Sequence, residues 1–281
     1  VIPALPVVFI SGLLASAAGC FGVMPGKLLV FPAFAVLKLY ELLCGLVMKL
    51  PGASVITGAP DGYRIFLFYA VMSGFLVAFS LKKHAIECGL KEKGQILYSV
   101  QRVVCTAVLL AILLVKPKTA AQLDILDVGQ GDGIYVRLGE DTNLFLDGGS
   151  TDVSKVGTYR ILPFLKSNGI TKIDYWFISH YDEDHVNGLL EVLETEYSVE
   201  NIILPGKQPD VKNYQSICAL AERRSIPILY MKEGDCIRSG EDTISCLLPD
   251  GEYQAEDENG KSMILLYQTK YISGIFTGDA G

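Results

Sequence analysis

Within Ser179-His180-Tyr181-Asp182-Glu183-Asp184-His185-Val186-Asn187-Gly188 stand four side chains that can ligate a metal ion: His180, Asp182, Asp184 and His185. The whole chain holds 3 histidines, and two are here. An apolar run, Asp174-Tyr175-Trp176-Phe177-Ile178, precedes the segment and reads as a buried strand. A second apolar run, Gly188-Leu189-Leu190-Glu191-Val192-Leu193, follows it and is helix-like. The ligands therefore crowd a loop at the C-terminal end of a strand. His180 and Asp182 are two apart, so in an extended turn both can converge on one ion. Asp184 and His185 are adjacent and diverge, which suits a second ion a few Å away. A dinuclear centre of this kind clamps the attacking and leaving oxygens of a phosphoester. An acidic, solvated loop capping the next helix would carry a similar string.

The elements that must hold this loop are short strands separated by Gly/Asp turns. Residues 121–128 read as a strand, 129–133 as a tight glycine loop, 134–138 as a second strand and 143–147 as a third, closed by Gly148-Gly149. A helix is expected over about 156–168, stopped by Gly169. Ile202-Ile203-Leu204-Pro205 is another strand, and 214–224 another helix. Strands at 226–231, 243–248, 262–268 and 272–277 complete the pattern. Strands alternating with helices describe a layered α/β domain. The 129–133 loop lacks the G-x-x-x-x-G-K pattern and leads into a strand, so it is a hairpin turn rather than a phosphate-binding loop.

The first part of the chain is of a different kind. Val1 to Gly26 carries no charge, and Leu28 to Leu50 is interrupted by Lys38 and Glu41. Those two can pair at i,i+3 in a spanning helix, or the helix can lie along the interface. Ile65 to Leu81 is uncharged, and Leu97 to Val115 has Arg102 near its start. Three or four membrane helices are expected. The chain starts at Val1 with no signal-peptide pattern and stops at Gly281, and both ends read as cuts through a longer protein. Lys82, Lys83, Lys91 and Lys93 make the 82–93 loop basic, which places it in the cytoplasm. The part after about Lys118 is then outside, although Lys116 and Lys118 count the other way.

Charge divides at the same place. Residues 119–281 hold 13 Lys+Arg against 27 Asp+Glu, a balance of −14. Residues 1–118 hold 11 against 4, a balance of +7, and the two reproduce the −7 of the chain. An acidic domain is a poor partner for nucleic acid on its own and suits divalent cations or a basic partner. Of 7 cysteines, Cys20, Cys44 and Cys105 lie in apolar runs as packing residues, and Cys88 lies in the basic loop. Cys236 and Cys246 flank a hairpin turn and are either a disulfide or free thiols. No C-x-x-C occurs, so a cysteine zinc site has no support.

Leu126-Asp127-Val128-Gly129-Gln130-Gly131-Asp132 resembles the opening motif of the metallo-β-lactamase-like domain of ComEC competence proteins. Phe145-Leu146-Asp147-Gly148-Gly149 resembles that family's next motif. Ser179 to His185 is similar to its metal loop, where an Asp replaces the second His of hydrolases of this fold. Asn259-Gly260-Lys261-Ser262-Met263-Ile264-Leu265 resembles its Asn-x-x-Ser strand, and Gly278-Asp279-Ala280 its Gly-Asp motif. Leu50-Pro51-Gly52-Ala53 and Gly58-Ala59-Pro60 resemble the end of the ComEC channel domain.

The resemblance implies a helical transmembrane part, 1–118, followed by an αββα metallo-β-lactamase-like domain, 119–281, truncated at its C-terminus. It implies a multi-pass protein of the cell membrane that takes up single-stranded DNA during transformation. The soluble domain would face outward as a phosphodiesterase or nuclease-like module. By the same transfer His180 and Asp182 hold one ion, and Asp184 with His185 the other. Asp279 bridges them. Asp147, Asn259 and Ser262 orient the site from behind. Asp184 and Asp132 act in catalysis, with water activated by the ions attacking phosphorus. Mixed His/Asp ligation suits two Mn²⁺ as well as two Zn²⁺. Partners implied are single-stranded DNA, the lipid bilayer, other competence proteins and a basic N-terminal extracellular domain outside this chain.

Two features depart from the family pattern. A C-terminal His-His-Gly-Ser motif would lie beyond Gly281, and no histidine lies between His185 and Asp279. A membrane DNA channel with a non-catalytic docking domain is therefore an alternative reading. A membrane-tethered ester hydrolase of the same fold is a second, against which Asp182 and the 126–132 string argue.

Overall fold

A computed structural model describes residues 4–50, 52–87, 95–115, 122–139, 141–249, 260 and 262–280. Two compact units emerge, Val1–Val55 and Ile56–Gly281.

In the first unit, α1 (Leu5–Gly19) packs against α2 (Val23–Val47). The contact is made by small residues: a Cβ on Gly26 would lie 3.2 Å from Gly19 Cα and 3.3 Å from Ala15 O. Bare backbone at such a crossing lets two apolar helices approach closely. Most of the large apolar side chains of both helices are exposed, Phe9, Met24 and Phe31 among them. Lys38 and Glu41 do pair at i,i+3, with Nζ 2.6 Å from Oε2.

The second unit begins with α3 (Gly62–Glu87) and α4 (Gln95–Leu114). Among the described residues α2 and α3 are long and apolar enough to cross a membrane, while α1 and the 100–114 part of α4 are shorter apolar helices. The basic loop's Cys88, Lys91 and Lys93, the lysines at 116 and 118, and Asn259 lie outside the described residues.

The rest of the second unit is layered. One sheet has the order β1 (Gln122–Ile125), β2 (Gly133–Leu138), β3 (Thr142–Asp147), β5 (Tyr175–Phe177), β7 (Ile202–Leu204), β8 (Ile228–Tyr230). β1, β2 and β3 pair antiparallel, and β3, β5, β7 and β8 parallel. The other sheet is antiparallel, in the order β12 (Ser273–Phe276), β11 (Ile264–Gln268), β10 (Asp242–Leu248), β9 (Cys236–Ser239). β4 (Lys172–Ile173) and β6 (Ser198–Val199) form a small parallel pair. A π-turn at Gly157–Ile161 runs into α5 (Leu162–Ser167), and α6 (Glu183–Leu193) and α7 (Lys212–Arg224) follow.

Period-two alternation divides the apolar residues between two cores. Phe145, Trp176, Ile178, Ile202 and Leu204 face the helices and meet Ile161, Leu165, Val186, Leu189 and Ile217. Leu144, Leu146, Phe177 and Ile203 face the second sheet and meet Ile244, Met263, Leu265 and Tyr267. The soluble part is thus helix, sheet, sheet, three layers in the order of the αββα fold. β9 and β10 form the expected hairpin, but Cys236 stands opposite Ser245. Cys246 is the next residue along and points to the other face, so it is buried while Cys236 is exposed, and both thiols are free. The disulfide alternative is corrected by this register.

Candidate metal centre

β3 ends at Asp147 and β5 at Phe177 in parallel register, Leu146 beside Phe177. That register sets Asp147 next to the turn that carries Ser179 and His180. Ser179 N–H donates to Asp147 Oδ1 at 2.7 Å, and its hydroxyl to Asp147 Oδ2 at 2.9 Å. Trp176 Nε1–H donates to the Asp147 carbonyl at 2.6 Å. The 126–132 loop is tied in by Gly148 and Gly149 N–H, which donate to Asp132 O at 2.7 and 3.2 Å. From the second sheet, Met263 N–H donates to Ser179 O at 2.8 Å.

Glycines let these backbones touch. A Cβ on Gly149 would lie 2.1 Å from Asp184 C and 2.3 Å from His185 N. One on Gly188, inside α6, would lie 1.7 Å from Gly148 O. The first turn of α6 is therefore pressed against the turn after β3. Gly278, at φ +50°, lies against the Ser179 side chain, so the chain can turn there and bring Asp279 over the site.

Two groups of ligand atoms result, each within 4.8 Å: His180, His185 and Asp279, and Asp132, Asp147 and His185. The imidazole rings lie 4.0 Å apart, centre to centre. His185 Nε2 is 3.3 Å from Asp279 Oδ1, and His185 Nδ1 is 3.2 Å from Asp147 Oδ2 without hydrogen-bond alignment. Both rings are about 1 % exposed. His180 Nε2 and His185 Nδ1 have no hydrogen-bond partner. Buried polar atoms without partners are uncommon and costly. Two such nitrogens facing carboxylates on three separate loops fit a divalent cation.

Electrostatics set the two rings apart. Burial, and then the neighbouring His185, lower the His180 pKa and keep its ring neutral, as a ligand requires. For His185 burial pulls downward, but Asp147 and Asp279 outweigh it and the pKa is raised to about 9. Burial, followed by the Asp147 charge, raises that of Asp132.

The structure gathers the residues differently from the pairing expected. α6 starts at Glu183, with Asp182 at its N-cap, so Asp184 and His185 stand on a helical turn rather than in a loop. Glu183 and Asp184 suit the positive end of that helix. Successive helical side chains diverge by about 100°, which turns His185 inward and leaves Asp184 outside both ligand groups. Asp182 is half exposed, with Oδ2 3.7 Å from His180 Nε2, and it too is in neither group. Asp132 and Asp147 join instead, the latter as a possible ligand as well as a support. Ser262 is buried, its hydroxyl unpartnered, and a Cβ on Gly278 would come within 3.3 Å of it. Ser179 was part of the motif but had no role of its own; only its position directly before His180 could have drawn attention.

No protein-family model matches the chain. It is 25% identical over 188 residues to ComE operon protein 3 of Bacillus subtilis, covering 62% of this chain and 24% of that one. It is 32% identical over 114 residues to Recombination protein 2 of Haemophilus influenzae, covering 41% and 14%. The chain thus spans a quarter or less of the length of these relatives. Among solved structures, the metallo-β-lactamase fold protein YhfI of Bacillus subtilis aligns at TM-score 0.34 and 18% identity, covering 53% of this chain and 55% of that one. A metallo-β-lactamase from Hirschia baltica aligns at TM-score 0.31 and 15% identity, covering 52% and 66%. The similarity to ComE operon protein 3 and to Recombination protein 2 along its sequence supports a ComEC-like protein.

Proposed function

We propose that the chain is part of a membrane protein for DNA uptake whose soluble domain hydrolyses phosphodiester bonds of single-stranded DNA with divalent cations. The observation that carries this reading is the pair of buried, unpartnered imidazole nitrogens facing Asp279, Asp147 and Asp132. His180 and Asp279 would hold one ion and Asp132 and Asp147 another, with His185 lending its single lone pair to one of them. Asp182 and Asp184 stand at the N-terminus of α6, outside both ligand groups. Such ions supply Lewis-acid polarisation of a phosphoryl oxygen and a more acidic water.

The geometry of the second unit supports an outward domain. Ala59 N–H, just before α3, donates to Ser167 O at 2.6 Å, and Ile56 packs against the helix-side core. Only seven residues, 88–94, join α3 to α4, so the two are antiparallel neighbours. The start of α3 and the end of α4 then lie on one side, and the end of α3, with Lys82 and Lys83, lies on the other. A cytoplasmic basic loop puts the domain outside. We place the functional boundary near residue 118, where the charge changes sign.

The −14 balance of residues 119–281 favours a second reading, in which the domain only docks other proteins. Purified full-length protein separates the two. It should bind about two Mn²⁺ or Zn²⁺ by elemental analysis, lose ions in His180→Ala, and cut single-stranded DNA slowly. Adding a basic extracellular segment should mainly lower the apparent KM, because it supplies the attraction that the acidic domain lacks. Metal-loaded protein that cuts no DNA, together with unimpaired uptake in His185→Ala, would leave only the docking reading.

A further inference from the structure

We propose that Ser179 is a positioning residue that fixes the ring proton of His180 on Nδ1 and so keeps Nε2 bare toward the centre. This rests on reading that centre as a divalent-cation site. The Ser179 hydroxyl lies 2.9 Å from Asp147 Oδ2 and 3.0 Å from His180 Nδ1, and it has one hydrogen to give. A carboxylate only accepts, so the hydrogen goes to Asp147. Ser179 Oγ then presents a lone pair to Nδ1, and that contact is a hydrogen bond only when Nδ1 carries the proton. A neutral imidazole has a single N–H, which leaves Nε2 with its lone pair. Nε2 is the buried nitrogen without a hydrogen-bond partner, and His180 belongs to the group with His185 and Asp279. The opposite tautomer would put a proton where an ion must bind.

Asp147 sets the direction of this chain of hydrogen bonds. Its Oδ1 is engaged by Ser179 N–H at 2.7 Å, which leaves Oδ2 for the hydroxyl. An amide at position 147 would reverse the chain. Its oxygen would stay with the Ser179 N–H, its NH₂ would donate to Ser179 Oγ, and the hydroxyl would turn to donate to Nδ1. The ring proton would then move to Nε2. Asp147 sits at φ +56°, a backbone region that Asn accepts well, so Asp147→Asn should fold.

The test is ¹⁵N NMR of the metal-stripped, ¹⁵N-histidine-labelled full chain in detergent micelles. With 3 histidines in the chain, His180 is assigned by its loss in His180→Gln. The expected result is a protonated Nδ1 and a bare Nε2 in the wild type, reversed in Asp147→Asn. Ser179→Ala keeps the backbone bonds to Asp147 and Met263, so the fold stays. Its Mn²⁺ affinity should nevertheless fall about 10- to 100-fold. A protonated Nε2 in the wild type, an unchanged tautomer in Asp147→Asn, or wild-type Mn²⁺ affinity in Ser179→Ala overturns the proposal. None of these readouts uses DNA, so failure of the nuclease reading leaves the proposal standing. A wild type that binds no Mn²⁺ sinks the metal reading, while the tautomer still decides the role of Ser179.

Discussion

Gly149 can carry no side chain because Asp184 and His185 occupy the place where one would sit. The same holds for Gly188 against the Gly148 carbonyl. These contacts set how far α6 stands from β3, and with it the distance from His185 to Asp147. Gly149→Ala should destabilise the domain by about 1–3 kcal/mol through overpacking. Gly206→Ala, where nothing lies within 4 Å, should change stability by less than about 0.5 kcal/mol. Trp176 is the only tryptophan, fully buried and bonded to the Asp147 carbonyl, so its fluorescence follows unfolding of this region in the whole chain. Equal midpoints for the two variants would show that the close approach carries no energy.

At the scale of elements, α6 joins the site to the core. Its outer end presents Glu183 and Asp184, while Val186, Leu189 and Val192 fill the helix-side core. Leu189→Ala should cost about 2–5 kcal/mol, read from the same Trp176 transition. A loss near zero would mean that α6 is held by its N-terminal contacts alone. The β9–β10 hairpin gives a second expectation. Burial pushes the Cys246 thiol up to about 11, and Cys236 faces away from it. At neutral pH Cys236 should react with a maleimide under native conditions, and Cys246 only after unfolding. A Cys236–Cys246 disulfide found by non-reducing peptide mapping would contradict the register.

At the scale of the whole molecule, α3 is long and apolar enough to cross a membrane and precedes the acidic part of the chain. Exposed Ser154, replaced by cysteine after removal of native reactive thiols, should label with a membrane-impermeant reagent on intact cells. Labelling only after lysis would put the domain in the cytoplasm and undo the uptake geometry. Ala59→Pro removes the N–H that reaches Ser167. It should raise protease sensitivity of the 50–60 connector while leaving the Trp176 transition in place; an unchanged cleavage pattern would show that this bond does not hold the connector.

Much of this was legible in the residues. The apolar runs at 28–50 and 65–81 became α2 and α3, because length and lack of charge suffice to specify a membrane-length helix. The strands at 134–138 and 143–147 were legible as short runs between Gly/Asp turns, and in the structure Leu144, Phe145 and Leu146 divide between two cores as period two requires. His180 and His185 were marked by residue type and clustering, and Asp279 by the resemblance of Gly278-Asp279-Ala280 to a family motif. Which of them share an ion was decided only in three dimensions. Spacing in an extended turn pairs His180 with Asp182, but Glu183 begins a helix, and a helix separates Asp184 from His185 by about 100°. Asp132 and Asp147 enter because parallel register and side-chain-free glycines bring three loops into backbone contact. Contacts between segments tens of residues apart leave no periodicity in the sequence, so the ligand grouping belongs to the tertiary structure.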